Sequence, residues 1–284
     1  MRLPWDRPDI VKTNYPDGTS YVEVKSFKYE LEYRINSYED LWTLAQIKDV
    51  YDYNMQPLHV IIPNLTDAQA DRRFAPNQSS NLMLVLNFLK SLDFAEITFF
   101  HPHNPEVVEA ILPEAHIIDN SYFIDQVLHN EIAVGPGFVD INQLDNLILM
   151  SSDAGGFKPL MKLVDKIDWK GETESAAKSR KYEDGKSKLT QLINRQDFGG
   201  KDVLIVDDIC VYGGTFVGLA KLLRERNVGK LYLAVSHMTV NTPNTELCKL
   251  YDGVYTTNSK GLSYSMFPEG EIKVLEYRNK TTDF

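Results

Sequence analysis

The stretch Val203-Leu-Ile-Val-Asp-Asp-Ile-Cys-Val-Tyr-Gly-Gly-Thr215 decides the fold of this chain. Its first four residues are Val, Leu and Ile, which is typical of a fully buried strand in a parallel sheet. A glycine turn follows the two aspartates, and the leucine spacing over Phe216–Arg226 predicts a helix. Strand, turn and helix in this order form the repeating unit of α/β proteins.

Other short apolar runs alternate with helical patterns along the chain, which predicts a mainly parallel sheet. The further predicted strands are Leu58–Pro63, Ile97–Phe100, Leu147–Met150 and Leu231–Val235, and a further predicted helix is Asn81–Leu92. We therefore expect the α/β class, with mainly parallel sheets flanked by helices. The turn-rich Gly135-Pro136-Gly137 predicts a boundary between domains 1–135 and 136–284, with 270–284 a candidate to pack against the first domain.

Composition excludes several classes of function. Of 284 residues, 43% are hydrophobic and 25% charged, as in folded soluble domains. A net charge of −10 argues against a nucleic-acid or membrane partner. Cys210 and Cys248 are too few for a disulfide scaffold, and no apolar run approaches the length of a bilayer span. We expect a cytoplasmic protein.

The residues after the Val203 strand suit a phosphorylated sugar. Asp207 and Asp208 lie where open α/β sheets bind ligands, and paired carboxylates accept sugar hydroxyls or hold hydrated Mg²⁺. Gly213 and Gly214 let backbone amides approach an anion, and Thr215 adds a hydroxyl at the start of the next helix. The alternative interpretation is an ordinary strand, turn and helix with two solvated aspartates.

A second unusual stretch runs from Asp168 to Lys188 and is almost without apolar residues. A compact domain normally uses a short connection at such a place. The composition predicts either a solvated loop or a mobile lid.

The Val203–Thr215 stretch resembles the phosphoribosyl-pyrophosphate (PRPP) loop of type I phosphoribosyltransferases and PRPP synthetases. Five further segments follow the order of the synthetases and extend the resemblance over most of the chain. They are Tyr15–Thr19 (similar to Phe-x-Asp-Gly-Glu), Ala68–Arg73 (Ala-Arg-Gln-Asp-Arg-Lys), Ile97–His103 (Asp-Leu-His), Ser151–Gly156 (Ser-Pro-Asp-x-Gly-Gly) and Lys178–Arg180 (Lys-x-Arg). The resemblance implies two phosphoribosyltransferase-type domains.

The resemblance also implies an ATP site, with Mg²⁺ as cofactor. The implied ATP-binding residues are Tyr15, Asp17, Gln69, Asp71, Arg72 and His103. In the family the hairpin that resembles Tyr15–Thr19 serves a neighbouring subunit, which implies a homo-oligomer. Thr19 replaces the glutamate of the family pattern, and Gln69 replaces an arginine. His103 and Asp153 match metal-associated positions.

The remaining site residues concern the transfer itself. Lys178 and Arg180 match the cations of the family's catalytic flexible loop, where they stabilise the transition state. The implied ribose- and phosphate-binding residues are Asp207, Asp208, Val211, Tyr212, Gly213, Gly214 and Thr215. The implied reaction moves the β,γ-diphosphate of ATP to the C1 hydroxyl of a ribose phosphate and releases AMP.

The turn Val211-Tyr-Gly-Gly-Thr215 departs from the Asp-Thr-x-Gly-Thr of PRPP synthetases. It loses a small hydroxyl donor and an acidic side chain and gains an aromatic ring. That change favours ADP-ribose slightly over ribose 5-phosphate as acceptor, which would place the protein in NAD salvage, as in some phage-type relatives. A type I phosphoribosyltransferase and a non-catalytic regulatory homologue remain as alternatives.

Overall fold

The computed structural model describes residues 9–73, 75–133, 141, 144–183, 186–239, 245–261 and 272–279, without the side chains of 178–191. The described chain divides into two compact units after Asp119. Ser259–Gly261 belong with the first unit, and the residues that follow them belong with the second. The predicted domain boundary at 135/136 lies outside the described residues. Of the segment 270–284, residues 272–279 are described, and they lie in the second unit rather than the first.

The first unit is a hairpin and a small parallel sheet covered by helices. Strands β1 and β2 pair antiparallel, and β3 to β6 form a four-stranded parallel sheet in sequence order. The strands are β1 Ile10–Asn14, β2 Ser20–Val24, β3 Glu30–Glu32, β4 His59–Ile62, β5 Glu96–Phe100 and β6 His116–Ile118. The helices are α1 Tyr38–Tyr53, α2 Asn81–Ser91 and α3 Pro105–Ile111.

Sequence signals explain these helices. Helix α1 begins after Ser37, whose side chain accepts a hydrogen bond from the Asp40 amide, as an N-cap residue does. Helix α2 buries one side of its surface in the core of the first unit, through Leu82, Val85, Leu86 and Leu89. The predicted strands at Leu58 and Ile97 and the predicted helix at Asn81 are confirmed.

The second unit is built on a seven-stranded sheet in the order β13-β12-β11-β10-β7-β8-β9. Its pairs are parallel except β8 with β9, which is antiparallel. The strands are β7 Leu147–Ser151, β8 Glu172–Glu183, β9 Lys186–Ile193, β10 Asp202–Cys210, β11 Leu231–Met238, β12 Gly253–Thr257 and β13 Lys273–Leu275. The helices are α4 Ser121–Gln126, a π-helical turn Val127–Ile132, α5 Phe157–Lys166, α6 Gly214–Arg224 and α7 Thr245–Leu250.

Strand β10 lies at the centre of this sheet and is buried on both faces. Its alternate residues enter two separate apolar clusters. Val203 and Ile205 pack in the cluster that contains Leu219 of α6, whereas Leu204 and Val206 pack in the cluster that contains Leu163 of α5. A strand covered on both faces needs a continuous apolar run, which is what the sequence shows. The predicted α/β class with parallel sheets is confirmed.

Much of the described part of the polar stretch Asp168–Lys188 is β-strand. Most of it belongs to a long antiparallel pair, which we call the ribbon: Ala176–Glu183 of β8 against Lys186–Ile193 of β9. The prediction of a solvated loop is wrong for these residues, because antiparallel backbone hydrogen bonds need no apolar side chains and the apolar pattern carries no sign of them. The prediction of a mobile lid stays a prediction.

None of the helices in the described ranges combines the length and the apolar character that a membrane span requires.

Candidate active site

Asp207 and Asp208 lie inside strand β10, because the strand continues past Val206 to Cys210, where it still pairs with Met238 of β11. The Ser152 hydroxyl donates a hydrogen bond to Asp207 Oδ2. The Asp208 amide donates to Asp207 Oδ1 at 2.8 Å, and the Ile209 amide donates to Asp208 Oδ1 at 2.8 Å. Sequence analysis placed both carboxylates just beyond the strand, and the structure places them within it.

The two carboxyl groups interact. The pKa of Asp207 is raised to about 7 by burial first and then by the charge of Asp208 and a hydrogen bond with its side chain, while the hydrogen bond from Ser152 acts in the opposite direction. The pair therefore holds a proton near neutral pH that an isolated aspartate has lost. Binding of a cation in place of this proton is therefore favourable at this position. Sugar hydroxyls can also donate hydrogen bonds to the two carboxylates.

The turn after β10 presents backbone amides at the start of a helix. Gly213 has φ +76°, a left-handed conformation that favours glycine, and its carbonyl accepts the Val217 amide of α6 at 2.9 Å. Gly214 and Thr215 are the first residues of α6. Val211 is 36% exposed and Tyr212 79% exposed. The turn thus presents a helix start of the kind that suits an anion, with an accessible aromatic ring beside it.

A second turn, Ser152–Gly156, follows β7, the sheet neighbour of β10. Its Asp153 carboxylate accepts the Gly156 amide at 3.0 Å. A Cβ on Gly155 would lie 3.2 Å from Asp153 Oδ1, so glycine lets the chain pass close to this carboxylate. Because Ser152 binds Asp207, the structure joins the Asp153 turn to the β10 aspartates.

The ribbon begins beside this turn. Ser175 of β8 is the last residue to pair with β7, opposite Ser151, and the two hydroxyl oxygens are 2.9 Å apart. Lys178 and Arg180 follow on β8, where their backbones pair with Gln191 and Leu189. The structure therefore places the backbone positions of the predicted catalytic residues on the strand that leaves the sheet next to Asp153.

Ion pairs and hydrogen bonds hold the ribbon at its base. Glu172, the first residue of β8, pairs with Arg195 at 2.5 Å and with Lys201, and both cations lower its pKa. Arg226 donates to the carbonyls of Ile193 and Arg195 at the end of β9. These contacts tie the base of the ribbon to the body of the second unit.

In the first unit, the Tyr15–Thr19 turn connects β1 and β2. The Asp17 carboxylate accepts hydrogen bonds from the Thr19 amide at 3.0 Å and the Thr19 hydroxyl at 2.7 Å, which lower the pKa of Asp17. Tyr15 is 52% exposed, and its ring centroid lies 5.8 Å from that of Tyr21. Thr19 therefore has a local role in place of the expected glutamate: it holds Asp17 in the turn.

The other predicted ATP-binding residues of the first unit come from two segments that the structure brings together. Asn104, next to His103, donates from Nδ2 to Asp71 Oδ2 at 2.8 Å. Arg72 beside Asp71 has a side chain 76% exposed, and Gln69 and His103 are exposed as well. The Asn104–Asp71 hydrogen bond thus joins the segments that follow β4 and β5, at the carboxyl ends of parallel strands.

Sequence analysis did not single out Asn104, which also caps α3 by accepting the Val107 amide at 3.2 Å. The Asn-Pro at residues 104 and 105 signals a helix start, but not the bond to Asp71. Arg73, the residue after Arg72, makes a contact within its own segment: its Nη1 donates a hydrogen bond to the Gln78 carbonyl at 2.6 Å.

Oxygen donors suited to Mg²⁺ are present in the second unit. Asp153, Asp207 and Asp208 supply carboxylates, the ligand type that Mg²⁺ prefers, and the proton shared near Asp207 marks a place where positive charge is favoured. Predicted metal residues His103 and Asp153 belong to different units. Within the described ranges, no three His, Cys, Asp or Glu residues cluster as a protein-only metal site. The donors fit an ion that is shared with a phosphorylated substrate.

Comparison with known proteins agrees with this geometry. Residues 125–259 match a protein-family model, the phosphoribosyl transferase domain. This range contains the turn after β7, the turn after β10 and the ribbon. The chain is 27% identical over 202 residues to the ribose-phosphate pyrophosphokinase of Chlorobaculum tepidum, covering 70% of this chain and 58% of that relative. It is 24% identical over 233 residues to that of Saccharolobus solfataricus, covering 79% of this chain and 74% of the relative. Residues 125–259 thus match the phosphoribosyl transferase domain, and the chain as a whole is similar to ribose-phosphate pyrophosphokinases.

A solved structure supports the fold of the chain. The crystal structure of phosphoribosylpyrophosphate synthetase from Mycobacterium smegmatis superposes with a TM-score of 0.73 at 15% identity. The superposition covers 94% of this chain and 85% of that one. At this identity the match supports the arrangement of elements rather than the role of any side chain.

Proposed function

We propose that this protein is a Mg-ATP-dependent diphosphotransferase, which moves the β,γ-diphosphate of ATP to the C1 hydroxyl of a 5-phosphorylated ribose. The observation that carries the proposal is the carboxyl-terminal part of β10, where the interacting Asp207 and Asp208 carboxylates stand six and five residues before Gly213, the N-cap residue of α6. Carboxylates for sugar hydroxyls and amides for a phosphate are thereby presented side by side. The names of the curated relatives support the same reaction type.

In the proposed reaction the C1 hydroxyl oxygen attacks the β-phosphorus of ATP. A new oxygen–phosphorus bond forms, the bond from the β-phosphorus to the bridging α-phosphate oxygen breaks, AMP leaves, and the hydroxyl proton passes to solvent. Bound Mg²⁺ supplies charge neutralisation on the phosphates. No covalent nucleophile on the protein is required.

Each part of the site then has a task. Asp207 and Asp208 hold the ribose hydroxyls and so orient C1, and the amides of Gly213–Thr215 hold the phosphate at the other end of the sugar. Lys178 and Arg180 on the ribbon stabilise the negative charge that develops during transfer. The proposed ATP-binding side chains are Tyr15, Asp17, Gln69, Asp71, Arg72 and His103.

We infer that ADP-ribose is favoured over ribose 5-phosphate as acceptor. Tyr212 is 79% exposed at the turn that would hold the phosphate, so its ring is available to pack against a nucleotide that extends from that phosphate. A terminal phosphate dianion gains from every extra donor, whereas the turn carries Val211 and Tyr212 in place of acidic and hydroxyl side chains. Ribose 5-phosphate is the second candidate, because the relatives are ribose-phosphate pyrophosphokinases.

The deciding experiment is AMP release by the purified protein with Mg-ATP and either acceptor, with phosphorus NMR to identify the product. The expected result is a C1 diphosphate, formed with a higher kcat/KM from ADP-ribose. Tyr212→Ala should reduce kcat/KM for ADP-ribose more than for ribose 5-phosphate, and Tyr53→Ala, an 88% exposed tyrosine in the first unit, is the matched control. A preference for ribose 5-phosphate overturns the acceptor assignment alone. Activity with neither acceptor overturns the reaction and favours a regulatory homologue.

The resemblance of the Tyr15 hairpin also leads us to propose a homo-oligomer. In the family that hairpin serves the ATP site of a neighbouring subunit, and here Tyr15 is half exposed at the tip of a paired hairpin. Sedimentation velocity of the full chain should show a dimer or a larger assembly. A monomer at all concentrations contradicts this part of the proposal.

A further inference from the structure

Two serine hydroxyls stand where the ribbon leaves the sheet. Ser151 is the last residue of β7 and is fully buried, and Ser175 is the β8 residue directly opposite it. The next residue of β8, Ala176, no longer pairs with β7 but with Ile193 of β9. The serine pair therefore marks the root of the ribbon, the point where β8 passes from the sheet to the ribbon.

These hydroxyls also hold the Asp153 turn. Ser151 Oγ lies 2.9 Å from Ser175 Oγ and 2.9 Å from the carbonyl oxygen of Asp153. Ser175 Oγ lies 3.3 Å from the same carbonyl and 2.9 Å from the carbonyl of Ala176. One small network thus contacts the turn that follows β7 and the first peptide of the ribbon.

The short distance along the chain from Ser175 to Lys178 makes this network relevant to the proposed catalysis. Lys178 follows Ser175 by three residues, a distance of about 10 Å along an extended strand. A change in the direction of the strand at its root is therefore carried to the Lys178 position. Because transfer requires reacting groups to be held closely in place, a displacement of about 1 Å is enough to slow it strongly.

We propose that Ser151 and Ser175 are positioning residues, which fix the direction of the ribbon relative to the Asp153 turn. The inference rests on the proposed function, since it assigns the pair to the same transfer. The hydroxyls touch backbone and each other in the network described above. They act on the reaction through Lys178, Arg180 and Asp153.

The test compares Ser175→Ala, which removes the hydroxyl, with Ser175→Thr, which keeps it on a residue suited to a strand. Ser91→Ala is the matched control, because it removes a serine hydroxyl that donates to the Phe88 carbonyl at 2.7 Å in the first unit. Ser175→Ala should lower kcat for AMP formation roughly tenfold or more. The KM for Mg-ATP should change little because the turn keeps its Ser151 and Gly156 contacts. Ser175→Thr should recover most of the lost kcat.

A second readout does not depend on activity. Hydrogen exchange should be faster at the backbone amides of residues 176–183 in Ser175→Ala, with exchange in β10 and β11 unchanged. The double variant Ser151→Ala/Ser175→Ala should lose about as much kcat as one single variant, because the two hydroxyls act as one unit.

The outcomes separate the two proposals. If the wild-type protein forms AMP and Ser175→Ala matches it in kcat and in ribbon exchange, the positioning role is overturned while the transfer reaction stands. If Ser175→Ala loses kcat but Ser175→Thr loses as much, the hydroxyl is not the cause and the role is overturned as well. If the wild-type protein forms no AMP with either acceptor, the proposed function fails and this inference fails with it.

Discussion

At the scale of single residues, Asp207 combines two properties that usually exclude each other: it lies in the middle of a core strand and it is an acid. Burial and, after it, the neighbouring Asp208 raise its pKa to about 7. Its ordinary value is 3.8, so the folded protein holds this proton more tightly than the unfolded chain does. Folding is therefore favoured by protonation at this position, and the free energy of unfolding falls as the pH rises from about 4 to about 7.

The Asp207→Asn variant tests whether the proton on Asp207 causes this fall in the free energy of unfolding. Asparagine is neutral at all pH values and keeps an oxygen that accepts from Ser152, so the variant should lose less stability than the wild type between pH 5 and pH 8. Urea denaturation at both pH values measures the difference. Asp197→Asn is the control, and its change in stability between pH 5 and pH 8 should match that of the wild type, because Asp197 titrates below this range. The Gly199 amide first, and then Asn227, lower the pKa of Asp197, so its stabilising effect is present at neutral pH and lost in acid. Parallel pH profiles for Asp207→Asn and the wild type would contradict the buried-proton account.

The sequence alone identifies Asp207 as a candidate site residue, but it does not predict the hydrogen-bond partner of Asp207. Two acids after four apolar residues stand out in any inspection of the chain. Ser152, which binds Asp207, lies 55 residues away, and the Asn104 bond to Asp71 spans 33 residues. Such contacts depend on which strands become neighbours, and one chain alone does not encode that order in any local pattern.

At the scale of elements, the ribbon differs most from expectation. Apolar periodicity predicted β4, β5, β7, β10 and β11 correctly because each is buried. The ribbon is held instead by backbone pairing and by the ion pairs of Glu172 at its base. A paired strand restricts the Lys178 position more than a free loop would, so less ordering remains to be done when substrate binds.

Lys178→Ala tests the role of the ribbon in the reaction. If Lys178 stabilises the transition state as proposed, its removal should lower kcat for AMP formation about a hundredfold or more. Lys170→Ala is the matched control, because Lys170 lies just before β8 and pairs on the surface with Asp168. Circular dichroism and the midpoint of thermal unfolding should be unchanged in both variants. Equal turnover in the two variants would remove Lys178 from the reaction.

At the scale of the whole molecule, the protein is acidic, yet its proposed substrates are polyanions. The net charge is −10, and the proposed site itself contains Asp153, Asp207 and Asp208. Local helix starts and the ribbon cations offset part of this repulsion, and Mg²⁺ must supply the rest. The excess of acidic over basic residues can be counted in the sequence. The division of the chain after Asp119 cannot be found in this way, because it depends on which core each segment joins. Phe123 and Val127 enter the core of the second unit, although they precede the glycine-rich turn that predicted the boundary.

Removal of Mg²⁺ should separate activity from stability. Excess chelator should abolish AMP formation, and added Mg²⁺ should restore it, because the phosphate charge is then neutralised again. The thermal midpoint of the ligand-free protein should not change with chelator, since the described residues form no metal cluster of their own. A large fall in the midpoint would instead indicate a structural metal site.

The position of β9 also bears on the behaviour of the protein at high concentration. It is the last strand in the order of the seven-stranded sheet, so its outer backbone edge is a place where another chain can add a strand. Its sequence, Lys-Ser-Lys-Leu-Thr-Gln-Leu-Ile, opens with two lysines in three residues. Charge on an edge strand opposes such addition, because a second copy would bring the same charges alongside. Among the described strands β9 has no partner on its outer side, so we expect the polar composition of the ribbon to oppose self-association there and apolar substitutions to reduce solubility before they affect folding.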